Sequence, residues 1–255
     1  MNKMSHKMLY IALMPFIFPA IIYAETSSEN GTFERDKGGI TIKKRVKHSK
    51  PSVSDLCPKK VDGYAISPRE AVNEAAIRDW AHNGVVKHQA LLGAILLEGR
   101  LAKRDPLEAS YWLNCAAESG AADAALNLAL QIYYADGIEQ DFTRAAKLAK
   151  QSALAGLIMG QRLLGNMYSS GQGVSKDIDE AVRWHTMAAE QGDMETQAAL
   201  GYRFLVADDV PRNLNLAIKW LSLAAEAGHQ QSKDNLEIAL EMQQNAVTVS
   251  GQIAK

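Results

Sequence analysis

The chain has 255 residues, of which 47% are hydrophobic and 22% are charged. Its 28 Lys and Arg residues nearly balance its 29 Asp and Glu residues, so the formal net charge is −1. This balance lacks the basic excess with which nucleic-acid-binding domains contact phosphates, and it argues against that class of protein.

The first 24 residues have the pattern of a secretory signal peptide. A basic start, MNKMSHK, precedes an apolar run from Met8 to Ala24 that ends in the letters IYA. The small residue at the end indicates cleavage after Ala24. An uncleaved membrane anchor is the alternative, but the run contains Pro15 and Pro19 and is shorter than the roughly 20 residues that a spanning helix needs. We therefore expect the protein to be exported, either to the periplasm or out of the cell.

Residues 25–60 form a basic leader before an acidic body. The leader has nine Lys or Arg residues against five Asp or Glu, whereas residues 61–255 have 17 against 24. Residues 25–51 are polar and are expected to be a mobile linker, although residues 39–43 could pair as a short strand. The basic run of the leader could contact the cell wall or another anionic surface, or could simply be a solubilising linker; its cations are Lys43, Lys44, Arg45 and Lys47.

Cys57 and Cys115 are the two cysteines of the chain. In an oxidising compartment a pair of cysteines is more often bridged than free. A disulfide would fix the leader to the first of the repeats in the centre of the chain. Two unpaired thiols are the alternative, with Cys115 a small apolar residue of a helix.

A 36-residue repeat occupies the centre of the chain and occurs four times. Identical or similar residues recur at this step in nine or more positions, among them Leu92, Leu128, Leu164 and Leu200; Ala109, Ala145, Ala181 and Ala217; and Gly120, Gly156, Gly192 and Gly228. So many positions in one register are not expected by chance. The predicted units are residues 85–120, 121–156, 157–192 and 193–228.

Each unit is predicted to be a pair of helices. In the third unit, Leu164 and Tyr168 lie four residues apart on one face of the first helix. The letters SSGQG form a turn, Asp177 suits the N-cap of the second helix, and Trp184 falls on the inner face of that helix. Because one such pair cannot bury its apolar face alone, we expect the units to stack on one shared core.

The motif of the third unit resembles a known repeat family. The pattern L-G-x-M-Y-x-x-G-x-G-V-x-x-D-x-x-x-A-x-x-W-x-x-x-A-A-E-x-G runs from Leu164 to Gly192 and is similar to the bacterial Sel-one-like repeat (SLR), a relative of the tetratricopeptide repeats. The resemblance implies an all-α fold, a right-handed α-solenoid of antiparallel helix pairs with capping helices. Other units depart from the motif without a change of fold being expected; the differing residues are Ala129, Leu148, Ala207 and Asp209.

Capping helices are predicted on both sides of the four units. Within residues 61–84, Ser67 can serve as the N-cap of a helix whose first residue is Pro68. Residues 229–245 form a predicted helix with a polar back that covers the last unit, and residues 246–255 are expected to be a frayed tail.

No catalytic motif is found in the sequence. Ser-x-x-Lys, Gly-x-Ser-x-Gly, His-Glu-x-x-His and a phosphate-binding loop with Lys are all lacking. His185 has no second ligand three or four residues away, so it is interpreted as an ordinary surface or half-buried residue. Asp177, Asp179 and Glu180 are interpreted as acids of a helix N-terminus and not as a Ca²⁺ loop. We therefore predict no enzyme activity, no metal site and no cofactor.

The resemblance implies that the first helices line a concave face and that this face binds a protein or peptide. The expected function is a non-catalytic interaction scaffold in the cell envelope or outside the cell. A peptidoglycan-binding or polysaccharide-binding module is an alternative. Binding or hydrolysis of β-lactams, which is associated with cysteine-rich SLR proteins, is a weaker alternative because this chain has one pair of cysteines and not one per repeat. The predicted groove residues are Lys87, Ala90, Ala94, Asp123, Leu126, Leu130, Tyr133, Met159, Arg162, Asn166, Ser169, Glu195, Ala198 and Tyr202.

Overall fold

The computed structural model describes residues 57–59, 73–99 and 101–253, with side chains up to residue 246. The signal-like segment, the basic run of the leader and the candidate strand at residues 39–43 lie outside the described residues. Within the described part the chain forms ten helices and no strand. They are α1 (Glu74–His82), α2 (Val86–Glu98), α3 (Pro106–Glu118), α4 (Ala122–Tyr133), α5 (Phe142–Leu154), α6 (Ile158–Ser170), α7 (Ile178–Glu190), α8 (Met194–Val206), α9 (Leu214–Glu226) and α10 (Gln230–Ile253).

The helices pair in the order that the repeat predicts. The most extensive contacts are within the pairs α2–α3, α4–α5, α6–α7 and α8–α9, and each pair also packs on the next through α3–α4, α5–α6 and α7–α8. The chain is therefore an all-α solenoid, which confirms the predicted fold class. We call α2, α4, α6 and α8 the first helices of the units, and α3, α5, α7 and α9 the second helices.

Each second helix begins at a side chain that caps it. Asp177 accepts a hydrogen bond from the backbone N–H of Glu180 at 3.0 Å, as its predicted N-cap role requires. The same position in the other units accepts the same bond, which satisfies one of the free N–H groups of each helix start; the residues are Asp105, Asp141 and Asn213.

The shared core consists of the residues that recur at the 36-residue step. The recurring leucines of the first helices are at most 1% exposed, and Trp112, Trp184 and Trp220 are at most 7% exposed. Alanines on the second helices let the helices approach closely while each tryptophan fills the remaining space. The tryptophans are thus core residues, as the sequence predicts.

Glutamines join successive units through the backbone. The side-chain amide of Gln197 in α8 donates to the carbonyl of Ala189, near the end of α7, at 2.9 Å. Gln89 and Gln161 bind the equivalent carbonyls before their own helices. In the second unit, where Ala125 takes the place of glutamine, Gln151 of α5 donates to the carbonyl of Ala117 instead. Each of these carbonyls also accepts a backbone N–H at the end of its helix, so the glutamine adds a second bond that ties one unit to the next.

Some of the first helices pack directly on their neighbours of the same kind. Among the described helices, α2 packs directly on α4 and α8 packs on α10, whereas no two second helices make comparable contact with each other. These contacts lie at the two ends of the stack, on the side that the family resemblance predicts to be concave. We call the exposed side chains of the first helices the inner face, and those of the second helices the outer face.

The two ends of the solenoid differ in detail from the prediction. Helix α1 begins at Glu74 because Asn73 caps it by accepting from the N–H of Ala76, whereas Ser67 and Pro68 lie outside the described residues. At the other end, α10 occupies the place of a fifth first helix and runs to Ile253, so the helix includes most of the segment predicted to be a frayed tail.

Cys57 and Cys115 form a disulfide in the structure, with their Cα atoms 5.4 Å apart. Cys115 lies in α3 and is 1% exposed. The bond holds residues 57–59 against α3, on the second-helix side of the first unit.

Candidate functional site

The inner face exposes some of the 14 predicted groove residues and buries others. Six of them are exposed, namely Lys87, Asp123, Met159, Asn166, Glu195 and Tyr202. Four others are buried and belong to the packing between helices, which the sequence pattern did not reveal; they are Ala90, Leu126, Leu130 and Ala198. The remaining predicted residues are partly exposed; they are Ala94, Tyr133, Arg162 and Ser169.

Exposed apolar side chains gather at the C-terminal part of the inner face. Tyr202 is 53% exposed and Val206, one turn later on α8, is 41% exposed. Ile238 of α10 stands 36 residues after Tyr202, in the equivalent position, and is 49% exposed. Val206 was not among the predicted residues, although its spacing of four residues from Tyr202 could have identified it. Large apolar groups exposed side by side are typical of binding surfaces.

Arg162 is fixed by an ion pair and is not a free cation. Its guanidinium donates to both carboxylate oxygens of Asp193, at 3.2 and 3.3 Å, and to the sulfur of Met159 at 2.9 Å. Asp193 precedes α8 and also accepts from the backbone N–H of Thr196. Arg162 therefore joins the third unit to the fourth, and its side chain remains 25% exposed beside Met159.

Tyr133 also joins two units. Its hydroxyl, in the second unit, donates to Oε1 of Gln172, in the turn of the third unit, at 2.6 Å. Its ring meets that of Phe142 edge to face, with centroids 5.3 Å apart. Burial is the main cause that raises the pKa of the Tyr133 hydroxyl, so this group stays a neutral donor and serves the packing of the two units.

His185 is buried beneath the inner face, contrary to its interpretation as a surface or half-buried residue. It is 6% exposed and packs on Gly165 of α6. In the first and fourth units the equivalent residues are Leu113 and Leu221, which pack on Gly93 and Gly201 in the same way. The imidazole thus occupies a core position, because position 185 faces the first helix of its own unit.

The imidazole of His185 is the centre of a polar network between the third and fourth units. Its Nε2 lies 3.0 Å from Oδ1 of Asn166, and its Nδ1 lies 3.4 Å from Nη1 of Arg203. Arg203 also donates to Oγ of Ser169 at 3.1 Å and forms an ion pair with Asp209 at 3.0 Å. Because the arginine can only donate and the amide oxygen can only accept, the network selects the neutral tautomer with hydrogen on Nε2.

Burial is the largest cause that lowers the pKa of His185, to about 4, and the nearby charge of Arg203 lowers it further. At neutral pH the imidazole is therefore uncharged. Both of its nitrogens are engaged within the protein, so its geometry supports a structural role at the joint between two units.

The described residues contain no group of three His, Cys, Asp or Glu side chains that could hold a metal ion. Of the helices that the structure describes, none combines the length and the apolar character needed to cross a membrane.

Comparison with known proteins agrees with the geometry of the repeats. The model of the Sel1 repeat family matches residues 89–120, 122–157, 158–193 and 195–229, so each match covers one helix pair of the solenoid. Among curated proteins, none matches the chain.

Two solved structures are similar in fold and in sequence. One is a protective antigen of uropathogenic Escherichia coli that displays an SLR fold; it is 36% identical, with a TM-score of 0.60, over 64% of this chain and 35% of that one. The other is a Sel1 repeat protein of Oxalobacter formigenes, 26% identical with a TM-score of 0.57, over 62% of this chain and 46% of that one. This chain therefore spans less than half of either solved chain.

The four matches together cover more than half of the chain, and each of them coincides with a stacked helix pair whose core positions recur at a 36-residue step. The chain belongs to the Sel1 repeat family.

Proposed function

We propose that this protein is an interaction scaffold that binds a protein or peptide on the inner face of the third and fourth units and α10. Sel1 repeat proteins generally mediate protein–protein interactions and are typically non-catalytic scaffolds. The observation that carries the proposal is the group of exposed apolar side chains formed by Tyr202, Val206 and Ile238.

Physical features of this surface support binding. The recurring leucines beneath it are the same in every unit, whereas the residues in line with Tyr202 differ; they are Ala94, Leu130 and Asn166. A tyrosine buries a large area at a small cost in side-chain entropy, and interfaces depend on such residues. The surface is also held by bonds between units, through Arg162 with Asp193 and Arg203 with Ser169, so little ordering is needed on binding.

Site-specific photocrosslinking in living cells tests this proposal. A photoreactive residue at Tyr202 or Met159 is expected to give a discrete adduct whose mass identifies the partner. Leu223 is a matched control because it is an apolar residue, 38% exposed, on the outer face, and Lys176 is an exposed control on a turn. Adducts of the same kind from all four positions, or from Leu223 alone, would contradict binding on the inner face.

We also propose that the protein acts in the periplasm or outside the cell. The signal-like pattern of residues 1–24 and the pairing of Cys57 with Cys115 support this location, because disulfides persist in oxidising compartments. The test is the mass of the chain recovered from each cell fraction. An exported chain that begins at Glu25 is expected, and a full-length chain confined to the cytoplasm would contradict the proposal.

A further inference from the structure

The outer face of α5 is the most basic helix surface in the described solenoid. The helix contains Arg144, Lys147 and Lys150, all exposed, and no Asp or Glu. Each of the other three second helices contains at least one acid. Arg144 donates to the amide oxygen of Asn114 at 2.9 Å, and neither lysine has an ion pair among the described residues. Arg144 and Lys150 are six residues apart, so their Cα atoms are separated by about 9 Å along the helix axis.

An exposed leucine continues this basic strip. Leu154 is 69% exposed, more than any other large apolar side chain in the described part of the chain. It follows Lys147 by seven residues and Lys150 by four, so the three share one face of α5. On the neighbouring helices the equivalent positions are Glu118 and Glu190, both exposed. In line with Lys147, the next second helices carry Arg183 and Lys219, but Arg183 is paired with Glu180, and among the second helices only α5 has several cations and no acid. The strip on α5 therefore suits an acidic element.

An element of that kind is present at the end of the same chain. Helix α10 exposes Asp234, Glu237, Ile238 and Glu241, whose spacing of three, four and seven residues places them on one face. The acids extend over about 10.5 Å of the helix axis, close to the length of the cationic strip. None of the three carboxylates has an ion pair within the described residues.

Within the described residues, this face of α10 is not covered by a second helix as it is in the four units. The residue equivalent to Glu237 in the fourth unit is Gly201, which is buried under Leu221 of the second helix. In the described chain no second helix follows α10, and Glu237 is exposed. Among the residues that the structure describes, the position that a partner helix takes elsewhere is exposed and acidic.

We propose that α10 of one copy binds the outer face of α5 of a second copy. The acids of α10 lie opposite Arg144, Lys147 and Lys150, and Ile238 packs near Leu154. The two surfaces differ, so the copies form either a twofold dimer with two such contacts or a head-to-tail chain. Ion pairs at an exposed interface are individually weak and are screened by salt, so the association is weak and sensitive to ionic strength. The proposal does not depend on binding at the inner face, although Ile238 borders both surfaces.

Charge reversal on each surface, and on both together, tests the proposal. Sedimentation of the full chain is measured at about 0.01 M and about 0.15 M ionic strength, where the screening length falls from roughly 30 to 8 Å. Self-association is expected at low salt and weaker association at the higher. The double variants K147E/K150E and D234K/E241K are each expected to raise the dissociation constant about tenfold or more. Mixing the two variants is expected to restore association, because the reversed strips are again complementary.

A matched control separates a specific contact from a general effect of charge. The variant K103E/K176E changes the net charge by the same amount as K147E/K150E, but at two exposed turn residues. It is expected to leave association unchanged. All the substituted side chains are exposed, so circular dichroism should show intact helices in every variant. A wild-type chain that stays monomeric at low salt, equal weakening by the control, or a mixture that fails to associate would each overturn the proposal.

Discussion

Acidification is expected to weaken the joint between the third and fourth units through His185. The side chain is buried and neutral, with a folded-state pKa of about 4 against 6.5 for the free group. The charged groups that face it are Arg203 from α8 and Arg162 from α6, the latter balanced in part by Asp193. A proton on His185 would place a third cation beside two guanidinium groups in a site with little water.

The sign and size of the effect follow from the two pKa values. Between pH 6.5 and pH 4 the unfolded chain binds a proton at this histidine and the folded chain does not, so the free energy of unfolding falls as the pH falls. The loss from this one group is about 2 kcal/mol at pH 5 and about 3 kcal/mol at pH 4, relative to pH 7.5. The stability that it contributes is therefore present above pH 6.5 and is lost toward pH 4.

The assay is urea unfolding, followed by circular dichroism, of the wild type and of His185→Leu between pH 7.5 and pH 5. Leucine is the residue that packs on glycine at the equivalent positions, Leu113 and Leu221, so the variant should fold. It leaves Asn166 and Arg203 without their shared partner, which is a cost that does not depend on pH in this range. The difference in unfolding free energy between wild type and variant should shift by about 2 kcal/mol across the range. Parallel pH profiles for the two proteins would show that His185 does not cause the loss of stability.

Three further predictions concern stability. Cys115→Ser removes a bond that closes a 58-residue loop, and it should lower the free energy of unfolding by up to about 4 kcal/mol, measured by urea unfolding with and without reductant. Gly165→Ala brings a methyl group within 2.4 Å of the His185 ring and should lower the free energy of unfolding by about 1–3 kcal/mol. Adding His185→Ala should recover part of that loss in a double-mutant cycle. No recovery would show that the two residues do not interact. Gln197→Ala removes the hydrogen bond to the end of α7, while the Ala189 carbonyl keeps the backbone N–H of Gly192, so it should cost about 0.5–1.5 kcal/mol. The loss should be detectable as faster hydrogen exchange in α7 and α8, and unchanged exchange in both helices would contradict the predicted role.

The fold was predictable because the core residues that determine it recur in every unit. The leucine of each first helix and the alanines of each second helix return at a fixed step, and a helix pair that cannot bury its apolar face alone has to stack. The N-cap role of Asp177 followed from its residue type and place. The end helices were harder to place, since α1 begins at Glu74 after its N-cap Asn73, inside the segment predicted as a capping helix, and no glycine or proline ends α10 near Asn245.

The polar network was missed because it consists of exceptions to the repeat. His185 stands in line with Leu113 and Leu221, and Arg203 stands in line with the buried Met167. Comparison of these positions between units would have shown two polar residues at core sites. The ion pair of Arg162 with Asp193 could not be predicted in this way, because it depends on the distance between consecutive helices and not on the step of the repeat.

Binding on the inner face is tested most directly by measuring the affinity of single-site variants for the partner that photocrosslinking identifies. Tyr202→Ala is expected to weaken binding at least about thirtyfold, since an exposed tyrosine at the centre of an interface contributes about 2 kcal/mol or more. The matched variant Leu223→Ala, on the outer face, should bind within about twofold of the wild type. Unchanged affinity for Tyr202→Ala, with a large loss for Leu223→Ala, would contradict binding on the inner face and place the binding surface on the second helices.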